Sequence, residues 1–173
     1  MMRSLPVTIW SDRTGAAAAE MAMVTPLLVV LMFGSLELGK YFLDEHVVVK
    51  AVRDGARFAA RQNFASMTCG GTPSNEAQIK NQVRYGKPVV TAADKPRLYY
   101  WTSPATITVT VNCYDNSGED GARIYGGIYT ARPMVPRVTV EASVPYVPLV
   151  GAIGFEAGGL SLNAANEAVV FGL

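Results

Sequence analysis

The sequence is poor in charged residues. Only 17% of its 173 residues are Asp, Glu, Lys or Arg, and the formal net charge is +1. Proteins that bind nucleic acid neutralise phosphates with a clustered basic surface. This near-neutral balance gives no such indication, so we expect no nucleic acid partner.

Metal-ligating and nucleophilic residues are scarce as well. His46 is the single histidine, and the two cysteines, Cys69 and Cys113, do not form a CxxC pair. This set is too small for a zinc site. No HExxH, G-x-S-x-G or phosphate-binding glycine loop is present, and no signature supports a nucleophilic pair of His46 and Cys69. The sequence therefore predicts no enzyme, no metal and no cofactor.

One acidic segment, DNSGEDG at 115–121, has a partial likeness to a calcium-binding loop. It contains Asp115, Glu119 and Asp120, but it lacks the alternating ligand positions of such loops. A plain turn is the favoured interpretation.

A long apolar run is what the sequence does have. From Ala16 to Leu36 the only charged residue is Glu20. About 20 such residues, rising ~1.5 Å each, cross a hydrocarbon core of ~30 Å. Pro26 does not prevent this, because membrane helices accept proline with local rearrangement. We therefore predict a leader over 1–15 and a transmembrane helix over 16–36.

The flanking charges predict the orientation of this helix. Arg3 and Arg13 precede it, while the residues that follow carry a negative sum. The positive-inside tendency places the N-terminus in the cytoplasm and the rest outside. A cleaved secretory signal is the alternative, but its small-residue site should follow the apolar stretch, and here the alanines at 16–19 come before it.

The helix is expected to continue into water over 37–64 as an amphipathic stalk. Its apolar face has the helical spacing of Leu38, Phe42, Val49, Val52, Ala56 and Ala59. Another face is basic and contains Lys50, Arg53, Arg57 and Arg61. This basic stripe is either a solvated helix surface or a contact with acidic groups on a neighbouring subunit or on lipid. Gly55 indicates close helix packing or a kink.

Residues 65–173 are expected to form an extracytoplasmic α+β domain. A loop rich in small residues precedes a short helix over 76–86. Alternating strands are predicted over 106–111, 137–144 and 160–164, and they favour an antiparallel sheet with one buried face. The stalk helix is the expected cover for that face. A long N-terminal helix packed on a small antiparallel sheet is therefore the predicted fold.

Cys69 and Cys113 precede the short helix and end the first strand, respectively. A disulfide between them is the favoured interpretation if the domain lies outside the cytoplasm, and two unpaired buried thiols are the alternative. The chain-entropy model gives such a crosslink about 4 kcal/mol of stabilisation.

Several motifs together resemble a known family. Gly15, four alanines and Glu20 at the head of an apolar helix look like the processing site of type IV pilins and pseudopilins. More closely, GAAAAEMAMVTPLLVVLMFGSLELGKYF followed by AVRDGARFAA resembles the TadE-like family of the tight-adherence pilus system. RVTVEASVPYVPLVG and LSLNAANEA are similar to its closing strands. Met21 departs from the pattern, because such proteins more often have Phe or Tyr there.

The resemblance implies a pilin-like fold and a minor pilin or pseudopilin that supports assembly of a type IVb-like adhesive pilus. A prepilin peptidase would cut after Gly15, so that Ala16 becomes the new N-terminus and Glu20 the assembly acid. Other pilin-like subunits, pilus assembly proteins and membrane lipid would be its partners, in a bacterial inner membrane with the C-terminal domain in the periplasm. The alternatives are a membrane-anchored periplasmic binding module and a pseudopilin of a secretion machine.

The implied role of Glu20 has a physical reason. A carboxylate inside hydrocarbon is costly unless it is paired or neutralised. Cleavage would create an ammonium at Ala16, one helical turn away, which could pair with Glu20 of the same chain or of a neighbour. The alternative is a carboxylate that lies at headgroup depth and snorkels to water.

Overall fold

The structure, a computed structural model, describes residues 13–118, 121–153 and 159–172. Most of the expected leader therefore lies outside the described residues. The chain divides into two compact units, with the boundary after Lys40. The fold is α+β, with a long N-terminal helix packed on a small three-stranded antiparallel sheet. The predicted fold class is thus confirmed.

Helix α1 spans Arg13–Ala60, and its first part forms the N-terminal unit. By length and composition this helix could cross a membrane, and its most apolar window is entirely exposed. Pro26 lies inside the helix and has no N–H to donate to the preceding turn. The hydroxyl of the neighbouring Thr25 donates to the carbonyl of Met21 at 2.6 Å. The structure thus places proline inside a continuous apolar helix, as the sequence indicates.

In the second unit α1 buries a face of small and branched residues. The fully buried residues of this face are Val48, Ala51, Val52, Ala56 and Ala59. The expected stripe is therefore right in its C-terminal half and wrong at Phe42, which is 49% exposed. Tyr41 packs instead, with its ring centroid 5.3 Å from that of Tyr146. The buried face is set one residue earlier because Tyr41 and Val48, not Phe42 and Val49, point to the core.

The end of α1 comes four residues before the expected one. After Ala60 the chain makes a short 3-10 turn over Phe64–Ser66, which Asn63 caps by accepting a hydrogen bond from the N–H of Ala65. Asparagine at this position favours such a cap over further helix. The carbonyl of Ala60 accepts from the N–H of Phe171 at 2.9 Å, so the C-terminal segment ties down the helix end.

Helix α2 spans Glu76–Tyr85 and ends at Gly86, as predicted. Gly86 has a φ of 78°, a left-handed conformation that costs glycine little. Its buried residues Ile79 and Val83 join the core.

The sheet is an antiparallel meander in the order β1-β2-β3. Its strands are Ile107–Asp115, Met134–Pro145 and Ser161–Val169. The three predicted strands are confirmed. The second extends beyond its expected bounds at both ends, whereas the first and third begin one residue later than expected and extend further at their C-terminal ends. Val109 is opposite Val140, and both are fully buried, while the intervening side chains point to the other face.

Gly55 shows how closely α1 approaches its neighbours. A Cβ built at this position would overlap the Cγ2 methyl of Val83 in α2, and it would lie 3.8 Å from Cγ1 of Val140 in β2. Of the two explanations that the sequence offers for this glycine, close packing is the one that the structure supports.

Candidate functional site

The expected processing site lies at the start of α1. Gly15 and Ala16 lie within the helix, near the N-terminal end of its described part. A Cβ built at Gly15 would meet nothing within 4 Å, and its φ is not in the left-handed region. Neither packing nor backbone conformation within the described residues therefore requires glycine there, in contrast to Gly55.

Glu20 lies one helical turn after Ala16, on the same side of the helix. The rise between the two is about 6 Å, short enough for a carboxylate to reach a new amino terminus at Ala16. Glu20 is exposed, and the helix that follows exposes large apolar side chains from Met21 to Leu36. Between Gly15 and Leu36, the acid is thus the single charged residue of this helix.

The basic stripe lies on the exposed side of α1. Arg53, Arg57 and Arg61 are all exposed. None of the three side chains makes an ion pair or hydrogen bond among the described residues, whereas the adjacent Asp54 pairs with Arg97 at 2.9 Å. The carboxylate nearest in sequence is therefore already bonded, and the stripe is a row of three exposed guanidinium groups without an ion-pair partner in the described part of the chain.

Cys69 and Cys113 are joined by a disulfide, with Cα atoms 5.4 Å apart, so that prediction is confirmed. Beside it, the N–H of Gly70 donates to the carbonyl of Val111, and the N–H of Val111 donates to the carbonyl of Gly71. The loop is therefore fastened to the edge of β1 by one covalent bond and two backbone hydrogen bonds. A bonded Cys69 has no thiolate to act as a nucleophile with His46.

The acidic segment after β1 is only partly described. Asp115 accepts a hydrogen bond from the N–H of Ser117 at 2.8 Å, which is a local turn contact. That contact lowers the pKa of the Asp115 carboxyl. Glu119 and Asp120 lie outside the described residues, so the structure does not extend the comparison with a calcium loop.

The structure also shows tertiary contacts that no sequence pattern indicates. The hydroxyl of Tyr100 donates to Asp44 of α1 at 2.7 Å. Burial, reinforced by this carboxylate, raises the pKa of the Tyr100 hydroxyl far above its ordinary value. Together with the Arg97–Asp54 pair, this bond fastens the segment after α2 to partly buried positions of α1. Only pairwise variation between these positions could have indicated them in advance.

A buried cation holds the same segment from the α2 side. Arg84 is 7% exposed and donates to the carbonyl oxygens of Trp101 and Thr102. Backbone carbonyls thus compensate its charge. These contacts hold the segment after α2 in place against α1 and α2.

Residues 15–57 match the family model described as TadE-like protein. The matched range begins at Gly15, contains Glu20 and Gly55 and ends at Arg57, and so it confirms the family resemblance over these residues. It is consistent with a pilin-like protein associated with a tight-adherence pilus. Comparisons with curated proteins and with solved structures gave no match.

Proposed function

We propose, from the match of residues 15–57 to the TadE-like family, that this chain is a minor pilin or pseudopilin that supports assembly of a tight-adherence pilus. Its apolar helix anchors it in the inner membrane with the N-terminus in the cytoplasm. Its C-terminal domain lies in the periplasm, where the Cys69–Cys113 disulfide is stable. Other pilin-like subunits, pilus assembly proteins and lipid are its partners.

A prepilin peptidase cuts between Gly15 and Ala16 in this proposal. The observation that carries it is the combination of Gly15, for which the described structure gives no packing reason, with Glu20 at the head of a helix whose most apolar window is exposed. Cleavage removes the cationic leader and leaves an ammonium one turn from Glu20. The pair then neutralises a carboxylate that would be costly in hydrocarbon, either within one chain or between neighbours.

The central experiment is mass spectrometry of the full chain extracted from membranes of cells that express the peptidase. We expect a mature protein of residues 16–173, and an intact Met1 would contradict the proposal. Gly15→Ala should block or slow cleavage. Gly34→Ala is the matched control in the same helix, because a Cβ at Gly34 also meets nothing within 4 Å.

A second pair of variants separates processing from assembly. Glu20→Gln keeps the size of the side chain but removes its charge, so it should be cleaved at Ala16 and yet fail to support pili. Normal piliation by Glu20→Gln would show that Glu20 only snorkels to water. If Gly15→Ala changed neither cleavage nor piliation, a membrane-anchored binding module would be the better explanation.

A further inference from the structure

The outer face of the sheet carries a carboxylate without a partner. Glu141 lies on β2 between Val140 and Ala142, which point to the core, so its own side chain points away from α1. It is exposed and makes no hydrogen bond or ion pair among the described residues. The other acid on this face, Glu167, pairs with Arg137 at 3.2 Å.

Glu141 lies in a hollow rather than on a crowded surface. The hollow has a volume of about 340 Å³ and is lined by short side chains from all three strands. Thr108 is opposite Glu141 on β1, and Ala165 is opposite it on β3. Short neighbours leave room for a long cationic side chain to reach the carboxylate from outside.

The same chain offers such side chains on its other side. Arg53, Arg57 and Arg61 are exposed on α1, opposite the helix face that packs on the sheet, and their side chains have no ion-pair partner in the described part of the chain. They are spaced one turn apart, with a rise of about 6 Å between successive members. An exposed row of cations and an exposed hollow with one anion thus lie on opposite faces of the two-layered domain.

We infer that Glu141 of one copy receives an arginine of the α1 row, with Arg57 at its centre, from a second copy of this chain. The two patches are different and lie on opposite sides, so the contact is heterologous. A heterologous contact that does not close can repeat along a filament. The inference deepens the proposed function and rests on it, because it requires neighbouring copies within an assembly.

Charge complementarity is the reason to choose a second copy over other occupants. Opposite charges across an interface fix its register and exclude wrong partners. An anionic lipid surface could neutralise the arginine row, but it would leave the Glu141 hollow unfilled. A second copy satisfies both features with one contact.

Crosslinking between two differently tagged full-length copies tests this contact in membranes. One copy carries Arg57→Cys and the other Glu141→Cys, and a short bismaleimide links them; the bonded Cys69 and Cys113 do not react. We expect a product with both tags, and none when both copies carry the same substitution. Lys95→Cys with Glu141→Cys is the matched control, because Lys95 is an exposed cation outside the row.

Charge reversal provides the second test. Arg57→Glu or Glu141→Arg alone should reduce co-isolation of the two tagged copies by about tenfold, which corresponds to about 1.4 kcal/mol. The double variant should recover it, whereas Lys95→Glu should have no effect. Both positions are exposed, so an unchanged circular dichroism spectrum should accompany each variant.

The outcomes separate this inference from the proposed function. Crosslinks between copies in cells that neither cleave the chain nor form pili would support the contact and contradict the pilus role. Normal cleavage and pili without a crosslink, or a crosslink from Arg57→Cys only to a cysteine of another protein, would overturn the contact and leave the pilus role intact.

Discussion

Replacing Gly55 with alanine should destabilise the domain, although alanine is the better helix former. Gly55 is buried in α1, and the new methyl group would overlap the Cγ2 methyl of Val83, which is itself fully buried. Overlap between two buried groups is relieved if Val83 leaves its rotamer or if α1 and α2 move apart. Such a movement disturbs the contacts that both helices make with the sheet.

The size of the effect follows from two opposing contributions. Alanine gains up to about 1 kcal/mol over glycine in a helix interior. Adding a methyl group to a well-packed core costs about 1–3 kcal/mol. We therefore expect Gly55→Ala to lower the free energy of unfolding by about 1 kcal/mol. Val83→Ala alone should cost about 2 kcal/mol, because it removes two buried methyl groups.

The combination of both changes tests the reasoning. In the Val83→Ala background the overlap is absent, so adding Gly55→Ala should raise stability. The assay is denaturant unfolding of the full chain in detergent micelles, followed through the fluorescence of the buried Trp101. Gly39→Ala serves as the control, since a Cβ there meets nothing within 4 Å and should cost nothing. Stabilisation by Gly55→Ala in both backgrounds would refute the overlap.

Three further predictions concern the fastenings of the domain. Substituting serine for both Cys69 and Cys113 should cost about 4 kcal/mol by the chain-entropy model, and reduction of the wild type, but not of this variant, should lower the unfolding midpoint. The pKa of Tyr100 is higher in the folded than in the unfolded state, so its contribution to stability is complete below pH ~10 and is lost as the pH rises above that value. Tyr100→Phe should lose the bond to Asp44 and flatten the plot of unfolding free energy against pH in this range. Arg84→Met should cost about 1.5–3 kcal/mol in chemical unfolding, because charged hydrogen bonds to two carbonyl oxygens are lost.

The fold was predictable in segments where the apolar residues follow a single clear periodicity or where a glycine marks the end of a helix. Strict alternation in TITVTV and RVTVEASV indicated β1 and β2, and the glycine stop at Gly86 indicated the end of α2. The face of α1 was predictable only from Val52 onward. Earlier in the helix, Tyr41 and Phe42 are adjacent and both aromatic. Periodicity alone could not decide which of the two side chains packs against the core.

Other features were beyond a single sequence because they depend on pairs of distant residues. Asn116 is one of them. It is fully buried and donates to the carbonyls of Tyr125, Tyr129 and Arg132, and so it organises the loop between β1 and β2. An asparagine in a segment rich in acids and glycine reads as an ordinary turn residue. Nothing in its neighbourhood indicates that its amide lies in the interior.

The candidate site was predictable to the extent that a family motif covers it. Within AVRDGARFAA the structure separates two kinds of residue. Ala51, Gly55, Ala56 and Ala59 are buried against α2 and the sheet, and Asp54 holds Arg97, so the fold alone accounts for these five. The side chains of Arg53 and Arg57 are exposed and make no ion pair or hydrogen bond among the described residues, so no such bond within one chain accounts for their charge. Arg53 and Arg57 lie one helical turn apart. Two exposed cations at this spacing are explained if acidic groups of a neighbouring subunit bind them. The arginines are therefore the part of this motif on which assembly experiments should concentrate.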